Sequence, residues 1–599
     1  METATLVWAD YLVIVATMCI SVGIGLYYRF SGGRQKTTHE YFSANKSMSI
    51  IPVAIALMVS FMSAITLLGV SAENYTYGTQ FVVINIAYLI GTPIICYGYM
   101  PVFFNLGAVS AYEYLDKRFG YGARISASFA SWVQLLLYSG VVLYAPALAL
   151  EATTGLSRLW SIIAIGLVCA FYSTIGGIKA VLITDVFQGV LMYASLFIVI
   201  GTAAHSLGGI GEIWRIASEG GRIEFDNISI DPTVRHTWWG LIIGGLFTFL
   251  SLFGVNQVQV QRMMTLKSLK AARKAFWLNW PILTCLSILT CFSGLAMYSR
   301  YYNCDPLMSK RIALPDMLMP LYVMDTMSNT PGLPGLFVAG IFSAGLSTIS
   351  AGLNSLAALT IEDYIKPTYT WYSGKEFTES KSIVFSKLLV LTFGIACIAL
   401  AFAAQLLGGV LQASLTIFGV VGGPLLGIFT LGMLIESANQ TGAITGLFSS
   451  LGITLWIAFG QPRPKPLTLP VSIDGCDTRS LAYTTFNASV PVTELLISEP
   501  QGDSSYFYLY RISYIWYSAI GFVITMFIGI VISYLTRAMC KKEDDELDPD
   551  LFFPFIAKRM RKRMQFQAEM ETNLTTNALY VFDSKYRGTE KAGDQNSYI

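Results

Sequence analysis

The sequence predicts an all-α polytopic membrane protein, and three observations lead to that fold class. Of the 599 residues, 54% are hydrophobic and only 13% are charged, whereas soluble domains carry roughly 25% charged residues. Apolar runs of about 20 residues, the length that spans a bilayer as a helix, recur along the chain. Polar or glycine-containing loops separate them, so one large membrane domain fits better than several soluble ones.

Thirteen apolar segments are long enough to span a membrane. They lie at 9–28, 50–70, 81–104, 124–150, 158–175, 181–202, 238–257, 275–298, 333–361, 383–404, 410–434, 442–460 and 512–536. An odd number of spans places the two termini on opposite sides of the membrane. The first segment has no basic leader and no A-x-A cleavage motif, so we interpret it as a membrane helix and not as a signal peptide.

Lysine and arginine residues indicate which side of the membrane each loop faces. The loops 29–49, 105–124 and 258–274 are rich in them, whereas the alternate loops 71–80 and 151–157 contain none. Because basic loops stay in the cytoplasm, the N-terminus is predicted to lie outside and the C-terminus inside.

The charged tail at 541–599 is then expected to be a largely disordered cytoplasmic extension. Its last residues, Ser597-Tyr598-Ile599, fit a PDZ-type C-terminal ligand. A PDZ protein is therefore a predicted partner, beside the lipid bilayer itself.

The long loops on the predicted outer side carry two further features. Asn227 and Asn487 lie in N-x-[ST] motifs there, and we predict glycans on both. Cys304 and Cys476 lie in two of the same loops, where a disulfide between them is conceivable.

Two of the predicted spans contain enough small and polar residues to indicate broken helices. The first is VSFMSAITLLGVSAENYTYG at 59–78, and GGLFTFLSLFGVNQVQVQR at 244–262 follows five spans later. Glycines in either span could simply permit close helix packing. However, interrupted helices at corresponding positions of two halves are typical of transporters with inverted repeats, whose freed carbonyls bind cations. The five-span spacing favours the transporter interpretation.

The segment FSAGLSTIS at 342–350 places hydroxyl groups in an apolar helix. Ala344, Ser347 and Thr348 lie at positions i, i+3 and i+4, so they share one helix face. Each hydroxyl could bond a carbonyl of its own helix, but together with a freed carbonyl they form a cluster of hard oxygen ligands. Such a cluster without a carboxylate suits a monovalent cation better than Ca²⁺. We therefore predict a Na⁺ site here.

Asp185, at the start of a predicted span, is a candidate for the ion path, because ionisable residues inside membranes are usually functional. The alternative is an interfacial aspartate paired with Lys179. A net charge of +2 gives no field that would attract nucleic acid. No G-x-S-x-G, P-loop or intramembrane His/Glu metal set indicates an enzyme, and no cofactor is expected beyond Na⁺ as a transported ion.

Four stretches of the chain resemble the solute:sodium symporter family. They are LLLYSGVVLYAPALALEATTGL, FYSTIGGIKAVLITDVFQGVLM, LSLFGVNQVQVQR and PGLPGLFVAGIFSAGLSTISAGLNSLAALTIEDYIKP. The resemblance extends over residues 8–536. Within the family it is strongest to the branch that contains the sodium-dependent multivitamin transporter, the sodium-coupled monocarboxylate transporters and the sodium/iodide symporter. It implies the LeuT-type architecture of a leading helix, two inverted five-helix repeats and two further helices, which agrees with thirteen spans.

On this architecture the chain divides into six parts. They are a leading helix and cytoplasmic loop at 1–49, the first repeat at 50–202, an extracellular loop at 203–237, the second repeat at 238–434, two further helices at 435–540 with an extracellular loop at 461–510, and the tail at 541–599.

The resemblance also implies which residues hold the ions and the substrate. The shared sodium ion would be held by the carbonyls of Val59, Met62 and Ala344 and the hydroxyls of Ser347 and Thr348. A second sodium ion would lie near Ser63, Tyr138 and Ser414. The substrate cavity would lie beside Phe61, Thr66, Tyr138, Phe249 and Leu415.

The sequence thus predicts a Na⁺-coupled symporter that imports a small organic anion, of the vitamin or monocarboxylate type, across the plasma membrane by alternating access. The family's sugar carriers have a histidine where Thr66 stands, which argues against glucose. The iodide symporter has glutamine and tryptophan at the positions of Thr66 and Phe249. Transport of iodide or another inorganic anion is therefore an alternative, and a non-transporting, sodium-dependent membrane sensor on the same scaffold is another.

Overall fold

The computed structural model of the protein describes residues 6–31, 38–107, 109–405, 409–464, 466–476, 506–539, 547–570 and 572. Within these residues the regular structure is helical, and one isolated backbone bridge joins Met48 to Leu266. The all-α class predicted from the apolar segments is confirmed.

The helices follow the apolar segments of the sequence. The first twelve are α1 (Trp8–Ser31), α2 (Thr38–Ser43), α3 (Ile50–Val59), α4 (Ser71–Tyr77), α5 (Ile84–Ile94), α6 (Met100–Leu106), α7 (Glu113–Phe119), α8 (Tyr121–Thr154), α9 (Arg158–Leu207), α10 (Ile210–Glu219), α11 (Gly245–Leu250) and α12 (Gln257–Met263). The others are α13 (Leu269–Tyr301), α14 (Leu318–Met327), α15 (Leu333–Leu359), α16 (Lys366–Ser373), α17 (Glu379–Ala404), α18 (Val410–Ile417), α19 (Gly423–Leu434), α20 (Gln440–Phe459), α21 (Tyr508–Arg511), α22 (Tyr517–Met539) and α23 (554–570). Wider π-helical turns occur at Thr66–Val70, Ile95–Tyr99, Gly240–Gly244, Ser251–Val255, Thr360–Ile365 and Phe418–Gly422.

Each of the thirteen predicted spans has a helical counterpart. Ten helices among the described residues are long and apolar enough to cross a membrane, and the bent pair Gly240–Val255 and Gln257–Met263 adds an eleventh. The two remaining spans contain the shorter apolar helices Ile50–Val59 and Arg158–Phe171. The exact number of crossings and the orientation of the termini stay predictions.

Helix α9 departs from the predicted pattern. It runs for 50 residues and joins the predicted spans 158–175 and 181–202 without a loop. A straight helix of that length extends about 75 Å, more than twice the hydrocarbon thickness of about 30 Å. The two predicted spans are therefore two apolar segments of one continuous helix.

Helix α15, which carries FSAGLSTIS, lies at the centre of the bundle. Every residue of α15 from Phe337 to Leu359 is buried. Small residues allow this, because a Cβ added at Gly345 would lie 2.6 Å from Cγ of Pro146, and one added at Gly340 would lie 2.8 Å from the Leu191 carbonyl. These contacts bring α15 against α8 and α9, so its hydroxyl groups meet protein instead of lipid.

The tail is folded where the structure describes it, so the expectation of a largely disordered extension is wrong for 547–570. Phe552 and Phe553 are buried, and the backbone N–H of Phe553 donates to the carbonyl of Met433 at 3.0 Å. Burial of these two aromatic residues anchors the segment, and α23 follows it. The C-terminal Ser597-Tyr598-Ile599 lies outside the described residues, so its PDZ partner stays a prediction.

Cys304 and Cys476 form a disulfide, with their Cα atoms 5.0 Å apart. Beside it, the N–H of Asp305 donates to the carbonyl of Ser472 at 2.9 Å. Because disulfides persist in oxidising compartments, this pairing supports an extracellular position for both loops. The predicted glycosylation site Asn487 lies outside the described residues.

Candidate functional site

The first predicted break is present in the structure, between Val59 and Ala64. Helix α3 ends at Val59, and the chain is not helical again until Ala64. Ser63 begins the second half as a cap, because its hydroxyl accepts from the N–H of Ile65 at 3.2 Å and its carbonyl accepts from the N–H of Thr66 at 2.9 Å. The interruption frees main-chain carbonyls at the end of α3 for other partners.

The second predicted break is located at Asn256. The π-helical turn Ser251–Val255 ends there, Asn256 is extended with ψ 135°, and α12 begins at the next residue. The Asn256 side chain accepts from the N–H of Val258 at 2.9 Å, so the asparagine caps the new helix. The two helices meet at a bend of 54°.

Three of the predicted sodium ligands come together at the first break. The hydroxyl oxygen of Thr348 lies 3.1 Å from the carbonyl oxygen of Ala344 and 3.3 Å from that of Val59. Oxygens about 2.4 Å from a hard cation in an octahedral shell lie about 3.4 Å from one another, so this spacing fits ligands of one small cation. Met62 lies within the break, and its N–H donates to the carbonyl of Met58 at 3.0 Å.

Asp185 is fully buried beside this cluster. Its carboxylate accepts from Nη2 of Arg262 at 2.8 Å and from the hydroxyl of Ser347. The alternative prediction, that Asp185 pairs with Lys179 at the membrane interface, is therefore wrong. Sequence patterning assigned Arg262 to a basic cytoplasmic loop, but α12 carries it into the bundle, where only 2% of its side chain is exposed. Since Ser347 gives its proton to Asp185, its oxygen lone pairs remain available to a cation.

Three of the five predicted substrate residues, Phe61, Tyr138 and Phe249, belong to one cluster of aromatic rings. Phe61 in the first break lies 6.4 Å from Tyr138, 5.7 Å from Phe253 and 5.7 Å from Phe418. Phe249 joins through Phe253, at 4.7 Å between ring centroids. Sequence reasoning left Phe253 and Phe418 out of the site. Phe253 could have been included, because it lies four residues after Phe249 on the same helix face.

The two other predicted substrate residues are not aromatic, and their position beside the cluster stays a prediction. Thr66 and Leu415 are half-buried. Of the three candidates for a second sodium site, Ser63 lies in the first break, and the ring of Tyr138 lies 6.4 Å from that of Phe61 in the same break. The third, Ser414, donates to the carbonyl of Leu411 in its own helix at 2.9 Å.

An ion pair that the sequence did not predict joins Glu73, in the helix after the first break, to Arg235. Arg235 donates from two nitrogens to Glu73, at 2.6 Å and 3.0 Å, and from a third to Gln412 at 3.1 Å. Its guanidinium also lies over the rings of Tyr77 and Tyr514, at 4.2 Å and 4.9 Å. One arginine thus ties together α4, α18 and the chain before α22.

Comparison with known proteins gives the context for this geometry. The model of the sodium:solute symporter family matches residues 41–449. The chain belongs to the sodium:solute symporter family. It is 52% identical over 570 residues to a candidate sodium-dependent multivitamin transporter of Drosophila melanogaster, covering 94% of this chain and 93% of that protein. It is 41% identical over 571 residues to sodium-coupled monocarboxylate transporter 1 of Homo sapiens, covering 91% of each.

This sodium:solute symporter also shares its fold with a solved structure. That structure is the substrate-bound, outward-open state of a Na⁺-coupled sialic acid symporter, with a TM-score of 0.71 and 24% sequence identity, covering 88% of this chain and 98% of the other. The LeuT-type fold class implied by the resemblance is confirmed. The repeat boundaries at 50–202 and 238–434 stay predictions.

Proposed function

We propose that this symporter imports a small organic carboxylate together with Na⁺ across the plasma membrane by alternating access. The oxygen cluster where Val59, Ala344 and Thr348 meet at the helix break carries this proposal. Relatives named for multivitamin and monocarboxylate transport support the substrate class. A cation that moves with the membrane field gains about 2.3 kcal/mol per 100 mV, so each coupled Na⁺ adds substantially to accumulation.

The proposed sodium site combines three carbonyls and two hydroxyls. Its ligands are Val59, Met62, Ala344, Ser347 and Thr348. Asp185 supplies negative charge one hydrogen bond away, through Ser347, and we assign it to the ion path for that reason. A second sodium ion near Ser63, Tyr138 and Ser414 belongs to the same proposal.

The proposed substrate site is the aromatic cluster beside the first break. The rings of Phe61, Tyr138 and Phe418 offer apolar faces to the body of the substrate. The start of the resumed helix, near Thr66, favours an anion because the helix dipole is positive there. Arg262 is engaged by Asp185, so the carboxylate is expected to be held by the helix dipole and by hydroxyls.

Radiotracer uptake with and without Na⁺ tests the proposal. The panel is biotin, pantothenate, lactate, iodide, choline and glucose, with uninjected cells as the control. Sodium-dependent accumulation of one or more of the three carboxylates is the expected result. Accumulation of iodide alone would favour the inorganic-anion alternative, and sodium-evoked current without any accumulation would favour the sensor.

Substitutions at Thr66 and Phe249 are expected to change substrate ranking. Thr66→Val removes a hydroxyl at constant shape, and Phe249→Leu removes ring area beside Phe253. Changes of this size in a binding pocket alter discrimination between two substrates about tenfold. Uptake of paired substrates, normalised to surface protein, measures the effect. Phe129→Leu, at a ring that is 55% exposed on the bundle surface, is the matched control. Equal loss of all substrates in proportion to protein would place both residues outside the cavity.

We expect glycans on Asn227 and Asn487. Asn227 is half-buried in the predicted extracellular loop, and its Oδ1 accepts from the N–H of Ser229 at 3.3 Å. Asn227→Gln and Asn487→Gln together should abolish the mass shift that glycosidase treatment causes, whereas Asn573→Gln in the predicted cytoplasmic tail should leave it unchanged. A full shift in the double variant would contradict the predicted topology.

A further inference from the structure

A cavity of about 340 Å³ lies on the predicted extracellular side, separate from the aromatic cluster. It is lined by residues from α4, the loop before α11, α18, the segment after α20 and the chain around α21. The loop that carries Cys476 is bonded to α4 beside the cavity, because the N–H of Leu469 donates to the carbonyl of Thr76 at 3.1 Å. The volume lies in the range typical of small-ligand sites.

Three of the four charged side chains that line the cavity are arginines, and one of these, Arg235, is already paired with Glu73. The four charged side chains are Arg235, Arg463, Arg511 and Glu224. Arg463 is held in place by the carbonyls of Gly460 and Ile457 and by the hydroxyl of Tyr517. These hydrogen bonds fix the position of the guanidinium. Among the described residues no carboxylate forms an ion pair with Arg463, so its charge is available to an anion.

Two buried hydrogen-bond acceptors line the same cavity without partners among the described residues. They are Nδ1 of His236 and Oε1 of Gln80, on side chains that are 5% and 1% exposed. Burial lowers the pKa of His236, although its contact with Glu73 raises it. The lowered pKa favours the neutral ring, in which Nε2 donates to Glu73 at 3.1 Å and Nδ1 is the acceptor. Native proteins rarely leave such groups unsatisfied.

The cavity and the aromatic cluster are connected through one helical segment. Gln412 of α18 lines the cavity, and Phe418, six residues or about 9 Å of helix rise further along, belongs to the cluster. Arg235 and Tyr514 also line the cavity, where Arg235 donates to Gln412 and lies over the ring of Tyr514. A ligand in the cavity would therefore contact the helical segment that carries Phe418.

We propose that this cavity is an outer binding site for a small carboxylate that also carries an O–H or N–H donor. The carboxylate pairs with Arg463, and the donor bonds His236 or Gln80. The inference rests on the proposed function only in identifying this ligand with the transported anion.

Protection of an engineered cysteine from labelling tests this inference. Leu467 lines the cavity and its side chain is 89% exposed, so Leu467→Cys should react with an external, membrane-impermeant sulfonated methanethiosulfonate. The wild-type chain sets the background, and Pro466→Cys is a second reporter. The labelling rate is measured in sodium-free medium with lactate, propionate or lactamide. Propionate lacks the hydroxyl of lactate, and lactamide lacks its charge.

Lactate is expected to slow labelling without sodium, and half-protection should need about 2- to 10-fold more propionate and at least about tenfold more lactamide. Adding Arg463→Gln should raise the half-protecting lactate concentration about tenfold, with Arg463→Lys in between. Protection that requires sodium, or that the three compounds give equally, would overturn the outer site, as would labelling that lactate does not change. Sodium-dependent uptake is measured separately, so failure of the transport proposal leaves this result interpretable.

Discussion

Asp185→Asn or Arg262→Met alone is expected to remove most of the protein from the cell surface. The two side chains are 0% and 2% exposed and their charged atoms lie 2.8 Å apart. Removing one partner leaves the other charge buried and unpaired, which destabilises a protein by about 3–5 kcal/mol. Total stabilities are about 5–15 kcal/mol, so this loss is severe. Surface biotinylation and thermal melting in detergent measure it.

Two further variants show whether the effect arises from the buried charges. The double variant Asp185→Leu, Arg262→Met removes both charges and should recover much of the lost stability. Glu151→Gln breaks the pair with Arg158, whose side chains are both 27% exposed, and should cost about 0–1 kcal/mol. Single variants that melt like the wild type, or a double variant no better than either single one, would show that the pair is not needed for folding.

Ser347→Ala and Thr348→Ala are expected to weaken sodium activation while the protein still reaches the surface. Loss of one hydroxyl ligand from a buried site costs about 1–3 kcal/mol, which corresponds to about 5- to 150-fold in apparent sodium affinity. Thr348→Ser keeps the hydroxyl and should be tolerated far better. By linkage, substrate affinity should also fall at low sodium and recover in part when sodium is raised.

Ser350→Ala is the matched control for this prediction. Ser350 is buried in the same helix, but its hydroxyl donates to the carbonyl of Ser347 at 3.0 Å and caps the helix only. Its loss should leave the sodium dependence of uptake unchanged. If Ser347→Ala and Thr348→Ala reach the surface with wild-type sodium activation, the hydroxyls serve packing and capping, and the ion binds elsewhere.

The breaks, and the shared helix face of Ala344, Ser347 and Thr348, were predictable from the sequence because their causes are local, whereas the meeting of Thr348 with Val59 was implied only by the family resemblance. Residues at i+3 and i+4 lie on one face of any helix. Asn256 and Ser63 each mark a break, because a capping side chain favours the start of a new helix at that position. The apolar segments likewise follow from the length of a bilayer-spanning helix. Helix α9 is the exception, since nothing in its apolar pattern shows whether the backbone continues between two spans.

The sequence alone determined the membrane class, the positions of the apolar segments and the face that carries Ser347 and Thr348, because each depends on composition or on the period of a helix. Only the tertiary structure decided which distant groups meet. The pairing of Asp185 with Arg262, the joining of Phe61 to Phe418 and the cavity around Arg463 all connect residues more than 50 positions apart. Such contacts depend on how the helices pack, and small residues such as Gly345, which let α15 approach its neighbours, set that packing.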